Sequence, residues 1–245
     1  MIKEARRQIP RFHVAEGLRA GAKLELAEDA AHHAMRVLRL SPGEAVTLFD
    51  GSGGEYEASI VAAGRDGMSV EVGAHHAYER ESPLQVTLLQ GLTSTDRMDF
   101  IIQKAVELGV AAIQPVLCAK SVVRLSPERA APRLAHWRRV AIAACEQCGR
   151  NRIPEVREAL PVARCAAGDG SAKALLAPRA AMTLAQFVRN PLTIAIGPEA
   201  GFDDEEERLF EAAGFVAVRL GPRTLRTETA ALAALAALNA LRGDF

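Results

Sequence analysis

Hydrophobic and polar positions alternate with period two in four short stretches early in the chain, Arg11–Val14, Ala45–Phe49, Tyr56–Val61 and Met68–Val72. Gly and Asp turns separate them, and the pattern predicts the strands of a small β-barrel. One helix interrupts them, over Asp29–Leu40, where Ala30, His33, Ala34, Val37 and Leu38 share a face and Pro42-Gly43 ends the run. Gly51-Ser52-Gly53-Gly54 links two of the strands and precedes no helix, so it predicts a hairpin and not a phosphate-binding loop. The polar segment Tyr78–Pro83 closes on proline and is expected to be a linker.

Beyond it the period changes. Strand and helix patterns alternate: Leu84–Gln90, Ala112–Leu117, Ala174–Leu176, Leu192–Ile196 and Phe215–Leu220 as strands, with helices over Met98–Leu108, Pro132–Cys148, Asp203–Ala213 and Thr229–Leu241. Such alternation predicts an α/β domain with a parallel sheet. Asp203 with Glu206 three positions on is a capping-box signal for a helix start. The last helix is apolar nearly all round, so it is expected to be enclosed by the core or covered by a second subunit.

Composition narrows the class. With 245 residues, 49% hydrophobic, the chain can build one large or two smaller cores. No apolar run is long enough to span a membrane and Met1–Arg7 has no apolar signal region, so a cytoplasmic protein is expected. Cys145 and Cys148 form the one close pair among four cysteines, inside an Ala-rich helix pattern, which fits neither a zinc site nor a redox motif; no metal is expected. Net charge is zero, yet charge is segregated. Lys120–Arg152 carries eight basic residues against two acidic, residues 1–11 carry four against one, and Glu199–Glu211 holds seven acids against Arg208. Local positive stretches of this kind suit a polyanion partner.

The chemistry concentrates in two loops between strand and helix patterns, Gly197-Pro198-Glu199-Ala200-Gly201 and the stretch Leu220–Ala230. Glycines let backbone amides approach a ligand, and Arg226 and Glu228 set opposite charges beside it. No Walker lysine or dinucleotide turn is present, and the acidic run after Glu199 repels phosphates. A cationic or zwitterionic ligand with an aromatic base fits better.

Ile196–Phe202 together with Leu220–Ala230 resembles the signature of the SPOUT methyltransferases, of the RsmE type that methylates N3 of a uridine in 16S, small-subunit ribosomal RNA. The resemblance extends to Arg11-Phe12, His32-His33 with Val37-Leu38-Arg39, Asp50-Gly51, Lys104–Val110 and Glu146–Pro154. It implies a PUA-like RNA-binding β-barrel over residues 1–77, a linker at 78–83, and a SPOUT domain with a deep trefoil knot over 84–245. It further implies a homodimer and S-adenosyl-L-methionine as methyl donor. The expected cofactor contacts are Leu176, Gly197, Pro198, Glu199, Gly201, Leu220, Gly221, Arg223, Leu225, Arg226, Thr229 and Ala230.

Uracil N3 carries a proton and is a poor nucleophile, so transfer to it requires a base and a cation. Arg226 is expected to stabilise negative charge developing on the uracil oxygens, and Glu228 or Glu199 to take the proton. Arg11, Phe12, Arg150 and Arg152 are the expected RNA contacts. The chain departs from the family in having Ala200 in place of a second glycine, Ala177 before Pro178, and no lysine in Thr93–Thr95. Two rival readings are a SPOUT enzyme acting on another RNA and a non-catalytic ribosome assembly factor.

Overall fold

A computed structural model describes residues 9–64, 67–166 and 170–245. The basic cluster expected near the N-terminus lies, except for Arg11, outside them. The chain forms two units, one of residues up to Glu81 together with Cys145–Ile153, the other of Ser82–Ala144 and Pro154–Phe245.

In the first unit β1 (Arg11–His13), β2 (Lys23–Glu25), β3 (Ala45–Phe49), β4 (Glu55–Gly64) and β5 (Gly67–His76) form one sheet in the order β1-β3-β4-β5-β2. β1 runs parallel to β3, and the β3-β4 and β4-β5 pairs are antiparallel. Gly51 and Gly53 take positive φ in the β3-β4 connection, as the hairpin reading expects. Alternation places Val46, Leu48, Ile60, Met68, Val70 and Val72 in the core beside Phe12. The short strand β2 has no counterpart in the period-two reading.

The expected helix over 29–40 is shorter and differently wound. An α-helix, α1 (Glu28–His32), passes into a π-helical turn over His33–Val37. The amide of Leu38 donates to the carbonyl of His33, and Arg39 then adopts φ 56°. Wider winding rotates the face away from a 3.6 period. Ala31 and Ala34 are buried, whereas His33 and Val37, expected on the same face, point outward.

The second unit contains β6 (Val86–Gly91), α2 (Thr95–Glu107), β7 (Ala112–Leu117), α3 (Pro127–Cys148, whose last turn belongs to the first unit), β8 (Glu155–Val156) and β9 (Leu160–Pro161). They are followed by α4 (Val162–Cys165), β10 (Ala172–Leu176), β11 (Met182–Thr183), β12 (Leu192–Ile196), α5 (Asp204–Ala212), β13 (Val216–Arg219) and α6 (Thr227–Arg242). The eight strands form one sheet in the order β11-β13-β10-β12-β6-β7-β8, with β9 also on β7, and every pairing is parallel. Parallel strands covered on both faces read as continuous apolar runs, and every residue of β12 is buried. Leu89, Leu175 and Ala195 face a cluster with Phe202, Phe210 and Phe215. Phe210 stacks edge-on with both other rings at centroid distances of 4.8 Å. Leu88 and Ile194, one position along, turn to the opposite side, where α6 packs on α2.

α5 starts as its sequence signals. Asp203 accepts from the amides of Glu205 and Glu206, and Glu206 accepts from the amide of Asp203. α6 buries Ala230, Ala231, Ala234, Leu235 and Leu238 along one stripe, each leucine contributing about 1.5–3 kcal/mol.

Candidate methyl-donor pocket and its charged wall

The carboxyl ends of β10, β12 and β13 open into one cavity of about 720 Å³. Its walls are the three chain segments that leave those strands: Leu176–Pro178, Gly197–Phe202 and Leu220–Arg226, with the first turn of α6 as a floor. Ligands in open α/β sheets bind beyond the carboxyl ends of the strands, and this volume suits a ligand of cofactor size.

Close backbone packing makes the cavity. A Cβ on Gly91, at the end of β6, would lie 2.5 Å from the nitrogen of Pro198, and one on Gly197 would lie 3.0 Å from the Cα of Gly201. Gly201 has φ 73°, whereas Ala200 does not take positive φ, so its extra methyl carries no backbone strain. Gln90, fully buried on β6, donates from Nε2 to the Thr227 hydroxyl at 2.9 Å, and that hydroxyl donates to the Gly197 carbonyl at 2.6 Å. Strand β6, the loop after β12 and the start of α6 are thereby joined. On the other wall Arg219 donates to the carbonyls of Ala180 and Ala181, holding the segment after β10 against β13.

One side of the cavity is charged. Arg97, from the first turn of α2, donates to Glu199 Oε1 at 2.7 Å, and its Nε lies 3.9 Å from Glu228 Oε1. The Thr93 hydroxyl donates to the same Glu199 oxygen. Burial alone would raise the Glu199 carboxyl, but the bonds from Thr93, its own backbone amide and Arg97 outweigh that and hold it below the usual carboxylate range. Glu228 Oε2 is buried and has no hydrogen-bond partner. Arg226 is exposed at the cavity, and among the described residues its guanidinium pairs with nothing.

Comparison with known proteins identifies the arrangement. Residues 80–239 match the model of an RNA methyltransferase domain, and residues 26–73 that of an RNA methyltransferase PUA domain. Ribosomal RNA small subunit methyltransferase E of Bacillus subtilis is 32% identical, over 88% of this chain and 91% of its own length. The enzyme of that name from Neisseria gonorrhoeae, solved bound to S-adenosyl methionine, is 40% identical with a TM-score of 0.89, covering 97% of this chain and all of that one. A putative methyltransferase of Legionella pneumophila, solved with the cofactor SAM, is 37% identical with a TM-score of 0.94 over 98% of this chain and all of that one.

This chain belongs to the ribosomal RNA small subunit methyltransferase E family.

In this family member the pocket gathers Leu176, Gly197, Pro198, Glu199, Gly201, Leu220, Gly221, Arg223, Leu225, Arg226, Glu228 and Ala230 along its lining. Thr229 does not join them. It is exposed and is absent from the cavity lining between Glu228 and Ala230. Arg97 and Thr227 line the cavity too and were not anticipated from the sequence. Their signal was positional: both open a helix that follows a strand of the same parallel sheet.

Three of the four expected RNA contacts are corrected by burial. Phe12 is 1% exposed within the first core, so its ring is not available for stacking on a base. Arg11 is 9% exposed, paired with Glu55 at 2.7 Å and hydrogen-bonded to Asn151 at 2.5 Å. Arg150 is 5% exposed and paired with Glu81 at 2.6 Å. A buried guanidinium held by a carboxylate cannot grip a phosphate without breaking that pair. Arg152 remains at the surface, 3.4 Å from Glu79 with over half its side chain exposed. The four cysteines are free thiols, and burial pushes Cys118 and Cys145 up to about 12 and Cys165 to about 11.

Proposed function

We propose that this protein transfers the methyl group of S-adenosyl-L-methionine to N3 of a specific uridine in 16S ribosomal RNA, either free or in the small subunit. The observation that carries the reading is the convergence of the three strand-end segments on a cavity walled by Arg97, Glu199, Arg226 and Glu228. The residues fit the donor. Glycine-lined backbone and Leu176, Ile196 and Leu225 suit a base and a sugar, and two carboxylates suit a ligand with cationic centres. Leu176, Gly197, Pro198, Gly201, Leu220, Gly221, Arg223, Leu225 and Ala230 would hold it, and when bound it supplies an electrophilic methyl on a positive sulfur. Thr229 drops out of that set because it does not line the cavity.

The chain's own residues supply the remainder. Arg226, permanently charged and unpaired, stabilises the negative charge that builds on the uracil oxygens as N3 is deprotonated. One of the two glutamates accepts the proton.

In the same reading residues 1–77 form the RNA-binding domain, 78–83 the linker and 84–245 the catalytic domain, except that Cys145–Ile153 cluster with the first unit and give it Arg152 as an RNA contact. The catalytic domain is knotted. β13 pairs with β10 on the side away from β12, yet α6 reaches β12, β6 and α2 after only residues 220–226, a path that supports threading past the segment after β10. The protein acts as a cytoplasmic homodimer. Support for the dimer comes from the outer face of α6, where Leu232, Ala233, Ala236, Ala237 and Leu241 are left partly or fully exposed. Among the described residues no helix is long and apolar enough to cross a membrane.

The test is methyl transfer from labelled donor to small subunits, and to RNA extracted from them, prepared from cells lacking the gene, followed by mass mapping of the product. N3-methyluridine at one site is expected. Transfer to transfer RNA alone, or no transfer, would overturn the proposal.

A further inference from the structure

The two carboxylates at the pocket are not equivalent. Glu199 Oε1 accepts from both Thr93 and Arg97, which fixes its charge and leaves it a poor proton acceptor. Glu228 lacks those hydrogen bonds. Its side chain is only 16% exposed, Oε1 stands 3.9 Å from Arg97, and Oε2 is buried without any partner although Glu228 lines the cavity. A buried carboxylate oxygen without a donor costs free energy, which a donor brought to that carboxylate relieves. Uracil N3–H is a donor of the right kind, in a cavity that also holds Arg226.

We propose that Glu228 is the base that takes the N3 proton, that Glu199 is not, and that Arg97 is a positioning residue which spans the two carboxylates and holds Glu228 oriented. The assignment rests on the methyltransferase reading above. N3 gives its proton to the Glu228 carboxylate and its electron pair to the methyl carbon, whose former bonding pair stays on sulfur. Carboxylate, uracil and sulfonium become carboxylic acid, N3-methyluracil and thioether, and net charge is conserved. Solvent then removes the proton from Glu228 before the next turnover.

Arg97 acts through charge. The other charged side chains at the cavity are Glu199, Glu207, Arg219, Arg223 and Arg226, and of all of these Arg97 is the one within ion-pair reach of both Glu228 and Glu199. Its removal leaves Glu228 and Glu199 without the cation that spans them. Arg97→Ala therefore lowers kcat with little change in KM, and Arg97→Lys restores much of it.

The experiment compares the full-length protein with Glu228→Gln, Glu199→Gln, Arg97→Ala and Arg97→Lys. Calorimetric binding of S-adenosylhomocysteine is measured beside kcat and KM for small-subunit RNA. Glu228→Gln is expected to lower kcat about a hundredfold or more while ligand affinity changes little, and Glu199→Gln to lower it far less. The assignment of base is overturned if Glu228→Gln keeps near-normal kcat, if its main effect is weaker S-adenosylhomocysteine binding, or if Glu199→Gln is the more damaging change. The role of Arg97 is overturned if Arg97→Ala leaves kcat in place or acts on KM alone. Inactivity of the unaltered protein on every small-subunit RNA would instead sink the methyltransferase reading, and this assignment with it.

Discussion

The hydroxyl of Thr227 donates to the carbonyl of Gly197 at 2.6 Å while accepting from Gln90, so the first residue of α6 fixes the loop that leaves β12. Thr227→Val keeps the shape and removes the hydroxyl, leaving the Gly197 carbonyl without its donor and Gln90 Nε2 with the Gly91 carbonyl alone to donate to. A cost of about 1–3 kcal/mol is expected in urea unfolding. The loop also loses preorganisation, and a loss of about 1.4 kcal/mol there appears as a tenfold weaker cofactor Kd by calorimetry. Unchanged stability and affinity together would show that the loop is held by other means.

Arg226 offers the opposite case, an exposed side chain with no partner among the described residues. Arg226→Ala is expected to leave the unfolding midpoint within the small range of surface changes, about 0.5 kcal/mol. If its guanidinium stabilises charge on the uracil oxygens, kcat drops by about a hundredfold to a thousandfold. Transfer at the normal rate would remove Arg226 from the mechanism.

Local signals carried the pocket loops and the start of α5, whereas α2, α3 and α6 begin at Thr95, Pro127 and Thr227, ahead of the Met98, Pro132 and Thr229 that periodicity placed. Glycine and proline between apolar runs mark where chain leaves a strand, and Asp203 with Glu206 caps α5 as the spacing implies. Arg97 was illegible because its role depends on Glu199, about a hundred residues later, being brought beside α2 by pairing of β6 with β12. The error over Arg11 and Arg150 has the same origin. A basic stretch reports charge along the chain, whereas burial was decided by Glu55 and Glu81, which are distant in sequence. The π-helical turn at His33–Val37 defeated a periodicity argument, since one wide turn shifts the later face.

Glu55 gives the first unit a pH dependence. Its burial would raise the carboxyl, but hydrogen bonds from Arg80, Arg11 and Asn151 prevail and hold it at about 2 against an ordinary 4.5. A carboxyl depressed in the folded state contributes stability that is fully present above the unfolded value and lost as pH falls through the folded one. Thermal midpoints should therefore fall between about pH 4.5 and 2, and Glu55→Gln should flatten that part of the curve. At neutral pH the variant leaves Arg11 buried without its counter-ion, at a cost of about 3 kcal/mol. A variant profile parallel to that of the unaltered protein would place the acid sensitivity elsewhere.

Arg152 and Arg150 sit two positions apart and should respond differently to the same substitution. The Arg152 pair with Glu79 is exposed, and such pairs are worth about 0–1 kcal/mol, so Arg152→Ala should scarcely affect folding. If Arg152 neutralises an RNA phosphate, its loss reduces the slope of log affinity against log salt by about 0.7 to 0.9. Arg150→Ala instead strands the Glu81 carboxylate beside the space its guanidinium filled, and should lower stability with little change in that slope for the folded fraction. Filter binding of small-subunit RNA over a salt series, run beside urea unfolding, separates the two. An unaltered slope for Arg152→Ala would leave the first unit without an identified RNA contact and move the search to the exposed basic residues of α3.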